Sequence, residues 1–415
     1  MRNDPVAYGI DFGTSNSCIS IAYRREIKEL GNLTSPGVPS LLYLDKLNQV
    51  LVGDEAAEQF LLRRGFPRCR IMSSLKLFLS DESFTQTSSW GNTWDLSDLI
   101  GYIIKYLKEK ADDFTGQETR RVVLGYPIIF PGVESTTNFS NQQELALERL
   151  RTAAERAGFE EIEFLDEPTA ALTNQDIARG IAIALDFGGG TFDSAVIDFS
   201  RRRRMHVLAT NGIDIGGQQF DKVVFDETIG ENLGIDNLPH YAQPLKYIGD
   251  MGETLMMGAS TNIRDTIARL IQSHPQGNLG PYGRLNRVLT HGHSYSLMRE
   301  VEKTKIALSQ YTEANLIFDR TADGLRLKNS ISRRDFESNI EQEIDAISNI
   351  IDETIREANL DFSDIDEVIL TGGSCQIPLF RTIVSKKFPN TSIRETDYFG
   401  RVCSGLALHG QRVWS

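Results

Sequence analysis

An α/β fold built from two related halves follows from three features of the sequence. The first is an apolar run, Ile181 to Leu185, that reads as a buried strand and leads into Asp186-Phe187-Gly188-Gly189-Gly190-Thr191-Phe192-Asp193. Its three glycines let the backbone turn tightly enough for N–H groups to close around an anion. The second is a repeat of this plan near the N-terminus, Tyr8-Gly9-Ile10-Asp11-Phe12-Gly13-Thr14-Ser15-Asn16-Ser17, which sets Asp11 against Asp186 and one Asp-Phe-Gly triplet against the other. The third is the alternation of strand-like and helix-like periodicity through the chain, which implies layered strands and helices. Two such hairpins, one from each half, are suited to grip polyphosphate from opposite sides, with Mg²⁺ between Asp11 and Asp186 and with Asp193 nearby.

At 415 residues the chain has room for two to four domain-sized units. A net charge of −13 argues against general affinity for nucleic acid or anionic membrane, because phosphate surfaces need clustered Lys and Arg, and leaves room only for local basic patches. No apolar run approaches the roughly 18 residues of a membrane span, and Met1 to Pro5 lead directly into a strand without a signal peptide. A cytoplasmic location is therefore expected. Cys18, Cys69, Cys375 and Cys403 lie far apart with no C-x-x-C, and they read as free thiols.

In chain order, Pro36, Gly37 and Pro39 mark a turn into a strand over 40–44, and Asp54 caps a short helix running to Leu62. Lys76 stands alone among apolar residues in Ile71 to Leu79, a setting that by itself suits a snorkelling surface lysine. Leu96, Leu99, Ile100, Ile103, Ile104 and Leu107 have the spacing of a helix with one buried face. Strands at 121–126 and 162–165 flank a helix from about Gln142 to Ala157, and Pro168 opens the next helix, where Glu167 alone suits the dipole. The run Arg201 to Arg204 fits a solvated hairpin tip or an anionic partner. Gly216 and Gly217 precede a helix to about Leu233 and suit either a ligand or a plain turn. Residues 234–295 read as an enlarged, mostly helical insertion. Glu302, Lys305 and Ser309 then share one helical face. Two strands lead to one long helix over 332–359, and a strand at 367–370 ends in a third glycine turn, Gly372-Gly373-Ser374, where ligands collect. A helix over 400–412 closes the chain.

Gly9 to Thr14, Asp166 to Ala171, Asp186 to Asp193 and Gly372 to Pro378 occur together in an order that resembles the ATPase domain of DnaK-type heat-shock chaperones. Within that family the chain resembles the short YegD-like branch, and through it the actin and sugar-kinase superfamily. The resemblance implies a two-lobed actin-like ATPase fold, with lobes at 1–178 and 179–415, each carrying a ribonuclease-H-like sheet. It also implies ATP or ADP with Mg²⁺ as ligands. Lys76 would orient the attacking water, Glu167 would place metal and water, and Asp193 would complete the catalytic set. Asp11, Asp186 and Asp193 would hold Mg²⁺. Gly13, Thr14 and Ser15 would hold phosphates on one side, and Gly188, Gly189, Gly190 and Thr191 on the other. Gly216, Gly217, Glu302, Lys305, Ser309, Gly373 and Ser374 would surround the ribose and base, Gly372 would join them in binding the nucleotide, and Pro127 and Arg151 would couple nucleotide state to lobe movement.

Two departures accompany the resemblance. Ile306 and Gln376 stand where the family carries the arginines that sandwich adenine, and the hydrophobic acidic linker and peptide-binding domain have no counterpart in the 415 residues. The expected function is slow Mg²⁺-dependent ATP hydrolysis coupled to lobe opening and closing, in a chaperone-like or regulatory role with a protein partner or exchange factor. A nucleotide-sensing interaction module without hydrolysis is the second reading, and a small-molecule kinase the third.

Overall fold

The computed structural model describes residues 4–30, 37–63, 69–133, 139–173, 180–200, 205–235, 238–239, 261–395 and 400–415. Arg201 to Arg204, and residues 236–237 and 240–260 of the expected insertion, lie outside the described residues. The chain forms two compact units, one of Met1–Leu41, Ser74–Gly217 and Glu343–Ser415, the other of Leu42–Ser73 and Gln218–Gln342.

The first unit contains the duplication. Strands β1 (Pro5–Phe12), β2 (Asn16–Tyr23), β3 (Arg121–Tyr126) and β4 (Glu161–Asp166) form a sheet in the order β4-β3-β1-β2, followed by the short strand Ile27–Glu29. A second sheet has β5 (Ile181–Phe187), β6 (Phe192–Asp198), β7 (His206–Ile213), β8 (Glu367–Thr371) and β9 (Ser392–Glu395) in the order β7-β6-β5-β8-β9. In each sheet an antiparallel hairpin continues into parallel strands, β1 onto β3 and β5 onto β8. The two Asp-Phe-Gly hairpins therefore occupy equivalent places in two sheets of one topology. A division after residue 178 falls between these sheets and inside the first unit.

Burial of the central strands explains their sequence. Tyr8, Ile10, Val122, Val123 and Leu124 are fully enclosed in the first sheet, and Ile183, Leu185, Phe187 and Phe192 in the second. Each such side chain contributes about 1.5–3 kcal/mol by leaving water. The periodic stretch after Trp94 forms helix α1 (Leu96–Thr115), its apolar face buried as spaced. Asp95 and Asp98 close a reciprocal capping box, and Gly116 ends the helix in the left-handed conformation. Helix α2 (Phe139–Arg156) lies against it, then α3 (Glu167–Thr173), α4 (Pro378–Lys387) and α5 (Gly400–Trp414).

The second unit has a three-stranded sheet of Leu42–Asp45, Val50–Val52 and Cys69–Met72, a hairpin of Glu313–Arg320 and Leu325–Ser332, and helices including Gly217–Phe225, Thr261–Ser273, Pro281–Thr290 and Ser294–Gln310. The single helix expected over 332–359 is two, Arg333–Asn339 in this unit and Glu341–Glu357, which from Glu343 onward belongs to the first unit, broken at Ile340. Ile340 caps the first helix outside helical geometry and is itself buried, so the apolar pattern continues across the break.

The cysteine reading requires correction. Cys18 on β2 and Cys403 on α5 form a disulfide across a sequence separation of 385, while Cys69 and Cys375 are buried thiols outside any disulfide. A cross-link over so long a loop restricts the unfolded chain, contributing about 2–4 kcal/mol. Urea unfolding with and without a thiol reductant should show the midpoint falling on reduction; an unchanged midpoint would count against this contribution.

Candidate functional site

Each glycine turn is shaped by its own hairpin and held by neighbours from elsewhere. The second turn closes through the Gly188 N–H donating to the Thr191 carbonyl at 3.0 Å. The Gly188 carbonyl accepts from the Gly217 N–H at 3.0 Å and from Ser374 Oγ at 2.8 Å, so Gly217 and the turn after β8 are fastened to it. Gly372 takes φ +82°, and a Cβ there would lie 2.3 Å from the Phe187 carbonyl oxygen, which accounts for glycine at this position. The first turn is braced by Ser40, whose Oγ donates to the Gly13 carbonyl at 2.7 Å and whose N–H donates to the Ser15 carbonyl at 2.9 Å.

The two turns meet. A Cβ on Gly189 would fall 2.9 Å from Ser15 Oγ, and one on Gly190 would fall 2.8 Å from Thr14 Oγ1. Between them is a cavity of about 90 Å³ lined by Asp11, Gly13, Thr14, Ser15, Asn16, Lys76, Glu167, Asp186, Gly188, Gly189, Gly190, Thr191, Thr371, Gly372, Gly373 and Val402. Both halves of the duplication thus contribute to one site.

Lys76 is no snorkelling residue. It lies in a 3₁₀ turn, Leu75–Phe78, entered through Ser74 at φ 56°, and only 5% of its surface is exposed. Its Nζ donates to Glu167 Oε1 at 2.6 Å. The helix-start role that suited Glu167 belongs instead to Asp166, whose Oδ1 accepts the Thr169 N–H at 2.9 Å, leaving Glu167 to turn toward Lys76. The Lys76 turn is anchored by Arg149 on α2. Its guanidinium donates to the carbonyls of Phe78, Leu79 and Asp81 at 2.9 Å and of Phe84 at 2.8 Å. Sequence reasoning missed Arg149 and Ser40, because neither stands in a motif. Arg151 instead lies exposed, donating to the Ile162 carbonyl at 3.2 Å and stacking on Phe164.

Asp193 sits just behind the cavity wall. Its Oδ2 accepts from Thr191 Oγ1 and its Oδ1 from the Ile128 N–H, both at 2.8 Å, so it ties the second turn to the segment after Pro127. Gly216 packs against the same turn from outside. Glu302, Lys305 and Ser309 belong to the second unit, half-buried along Ser294–Gln310. There Lys305 Nζ lies 2.9 Å from Asp221 Oδ1 and Glu302 Oε2 accepts from Arg299 at 2.6 Å.

Four carboxylates crowd one ammonium here. Burial, then the charge of Glu167, pushes the Asp11 carboxyl up to about 7 against the pull of Lys76. The same two causes raise Asp193 to about 8 against its Thr191 bond and Lys76. Asp186 is also raised, first by burial and then by Glu167, Asp193 and Asp11. Burial opposes the charge on Lys76, but Glu167, Asp11 and Asp193 overcome it and hold its pKa above the ordinary value. A hard divalent cation fits this oxygen-rich, charge-deficient set, with Asp11 and Asp186 at the cavity to hold it or its waters.

The pH dependence follows from the direction of these shifts. Folded-state values above the unfolded carboxylate value near 4 mean that the free protein loses stability as pH rises from about 4 through about 8. A cation binds the ionised form and reverses the loss. The affinity of this carboxylate set for Mg²⁺ should therefore rise between pH 6 and 8, by up to about tenfold per unit for each proton displaced. Calorimetric titrations at pH 6, 7 and 8 would test this, and a flat series would refute it.

A model of the Hsp70 protein family matches residues 71–242 and 291–411, more than half of the chain. The chain belongs to the Hsp70 family. Its duplicated α/β sheets are accordingly those of the actin-like ATPase fold. Binding of ATP, ATPase activity and chaperone function are properties of Hsp70 proteins as a family. The two matched segments flank 243–290, which lies inside the stretch read as an insertion. Among the described residues, no helix of this Hsp70 protein is long and apolar enough to cross a membrane.

Proposed function

We propose that this Hsp70-family protein binds ATP or ADP with Mg²⁺ at the cavity between the two glycine turns and hydrolyses ATP slowly. In this reading the lobes 1–178 and 179–415 open and close with nucleotide state, in a chaperone-like or regulatory role in the cytoplasm with a protein partner or exchange factor. The observation that carries it is the convergence of both turns with the Lys76–Glu167 pair on one cavity.

Backbone N–H groups of the turns, with Thr14, Ser15 and Thr191, hold phosphate oxygens. Asp11 and Asp186 hold the cation, with Asp193 steadying the turn behind them. Bound Mg²⁺ neutralises phosphate charge and orders water at the reacting phosphorus. Lys76, kept charged and oriented by Glu167, directs its remaining N–H donors into the cavity and positions the attacking water. Most catalysis of phosphoryl transfer comes from such positioning and charge neutralisation. Among the described residues no histidine lines the cavity, so this set offers no strong general base and turnover is slow.

The second reading, a nucleotide sensor without hydrolysis, draws on Ile306, which is 50% exposed beside Lys305 and has no guanidinium to stack on adenine. Calorimetric titration with ATP and ADP in Mg²⁺, followed by single-turnover phosphate release on the same sample, separates the readings. Binding with slow release is expected; binding without release supports the sensor, and no binding sinks both.

A further inference from the structure

The Cys18–Cys403 disulfide joins two elements that both border the cavity. Cys18 lies on β2 directly opposite Asp11 in the hairpin register. Cys403 follows Val402, the residue through which α5 lines the cavity. The two sulfurs and an Asp11 carboxylate oxygen lie within 4.8 Å of one another. Helix α5 also rests on the backbone that carries the site: a Cβ on Gly9 would fall 2.3 Å from the Ala407 nitrogen and 2.5 Å from the Cys403 carbonyl oxygen. On its other side, a Cβ on Gly405 would fall 1.8 Å from the carbonyl oxygen of Ala170, on the helix that begins with Glu167. A covalent tie at Cys403 therefore fixes α5 against β1, β2 and α3 together.

We infer that Cys18–Cys403 is a redox-active site for dithiol reductants, whose state sets the nucleotide affinity of the adjoining cavity. Cys18 is half-buried, whereas Cys403 is 1% exposed, so attack falls on the Cys18 sulfur. One thiolate of the reductant bonds to that sulfur and expels Cys403 as a thiolate, which takes up a proton. The second thiol of the reductant then attacks the mixed disulfide and leaves as part of a cyclic disulfide, releasing Cys18 as a thiol. Two electrons and two protons reach the protein, and the reductant is oxidised by the same amount. Two thiols repel to van der Waals separation, so β2 and α5 part beside Asp11. The oxidised form holds the phosphate turn in its binding arrangement; the reduced form holds it for only a fraction of the time.

This inference rests on the nucleotide reading above, and the experiment separates their failures. The oxidised and dithiothreitol-reduced protein would be compared by thiol titration, by hydrogen exchange over 11–23 and 400–410, and by calorimetry with ADP and Mg²⁺. Reduction should raise accessible thiols on denaturation from two to four, speed exchange in both segments and weaken ADP binding by roughly threefold or more. Reoxidation should restore it. The C18A/C403A double variant should show the weaker affinity and no response to reductant. Equal ADP affinity in the two redox states, or a disulfide that resists reduction in the native protein, overturns the inference. Faster exchange on reduction with no ADP binding in either state keeps the redox opening and refutes both the coupling and the nucleotide reading.

Discussion

Replacing Lys76 with alanine should lower single-turnover phosphate release by on the order of a hundredfold or more, while ADP binding persists. The expectation rests on the 2.6 Å pair with Glu167, in which both residues are under 10% exposed. Among the described residues that line the cavity, Lys76 is the lone ammonium, so no other lining side chain of that set takes over its place. The change also leaves Glu167 as a buried, uncompensated charge, which costs about 3–5 kcal/mol when one partner of such a pair is removed. Lys76 holds down the Asp11 and Asp193 carboxyls, so its loss should move Mg²⁺ binding to higher pH as well. The double variant K76M/E167Q separates chemistry from folding, because it removes both charges and should recover most of the stability but none of the rate. Phosphate release at the wild-type rate in K76A would remove Lys76 from the mechanism.

Lys76 also marks where sequence becomes insufficient. The two Asp-Phe-Gly hairpins were legible because a glycine turn between apolar strands is local chemistry, and the structure places both in equivalent sheets. The capped helix after Asp95 was legible for the same reason. A lysine among leucines carries no such signal; its burial is decided by α3, which arrives 91 residues later with Glu167. Resemblance to a family assigned both residues to one site where periodicity singled out neither, and their direct pairing appears only in the structure. Arg149 shows the same limit, since four backbone carbonyls recruit it and leave no trace in side-chain pattern. The disulfide was misread because a separation of 385 residues holds no spacing information, and only the sheet register brings Cys18 to α5. Strand β9 escaped notice because Ser392-Ile393-Arg394-Glu395 is a largely exposed edge that pairs on one side with β8.

Gly216→Ala should damage nucleotide binding more than its size suggests, and Gly188→Ala should distinguish a ligand's demands from the fold's. Gly216 is not in the left-handed region, so alanine meets no conformational penalty there. The obstacle is backbone: the new Cβ would lie 2.4 Å from the Gly190 carbonyl carbon and 2.5 Å from those of Gly189 and its oxygen. No side chain can swing aside, so the turn itself must shift toward Thr14 and Ser15. Overpacking of this kind costs about 1–3 kcal/mol of stability. A turn displaced against its partner should weaken ADP by roughly tenfold or more, equivalent to about 1.4 kcal/mol per decade. At Gly188 the nearest atom to a new Cβ is the Thr191 carbonyl oxygen at 3.7 Å, an ordinary contact. The unfolding midpoint of G188A should therefore stay close to wild type. If phosphate occupies the space before the turn, the added methyl competes with it and affinity falls although stability does not. Should G188A bind ADP as tightly as wild type, phosphate does not approach this turn, and the cavity serves some other ligand.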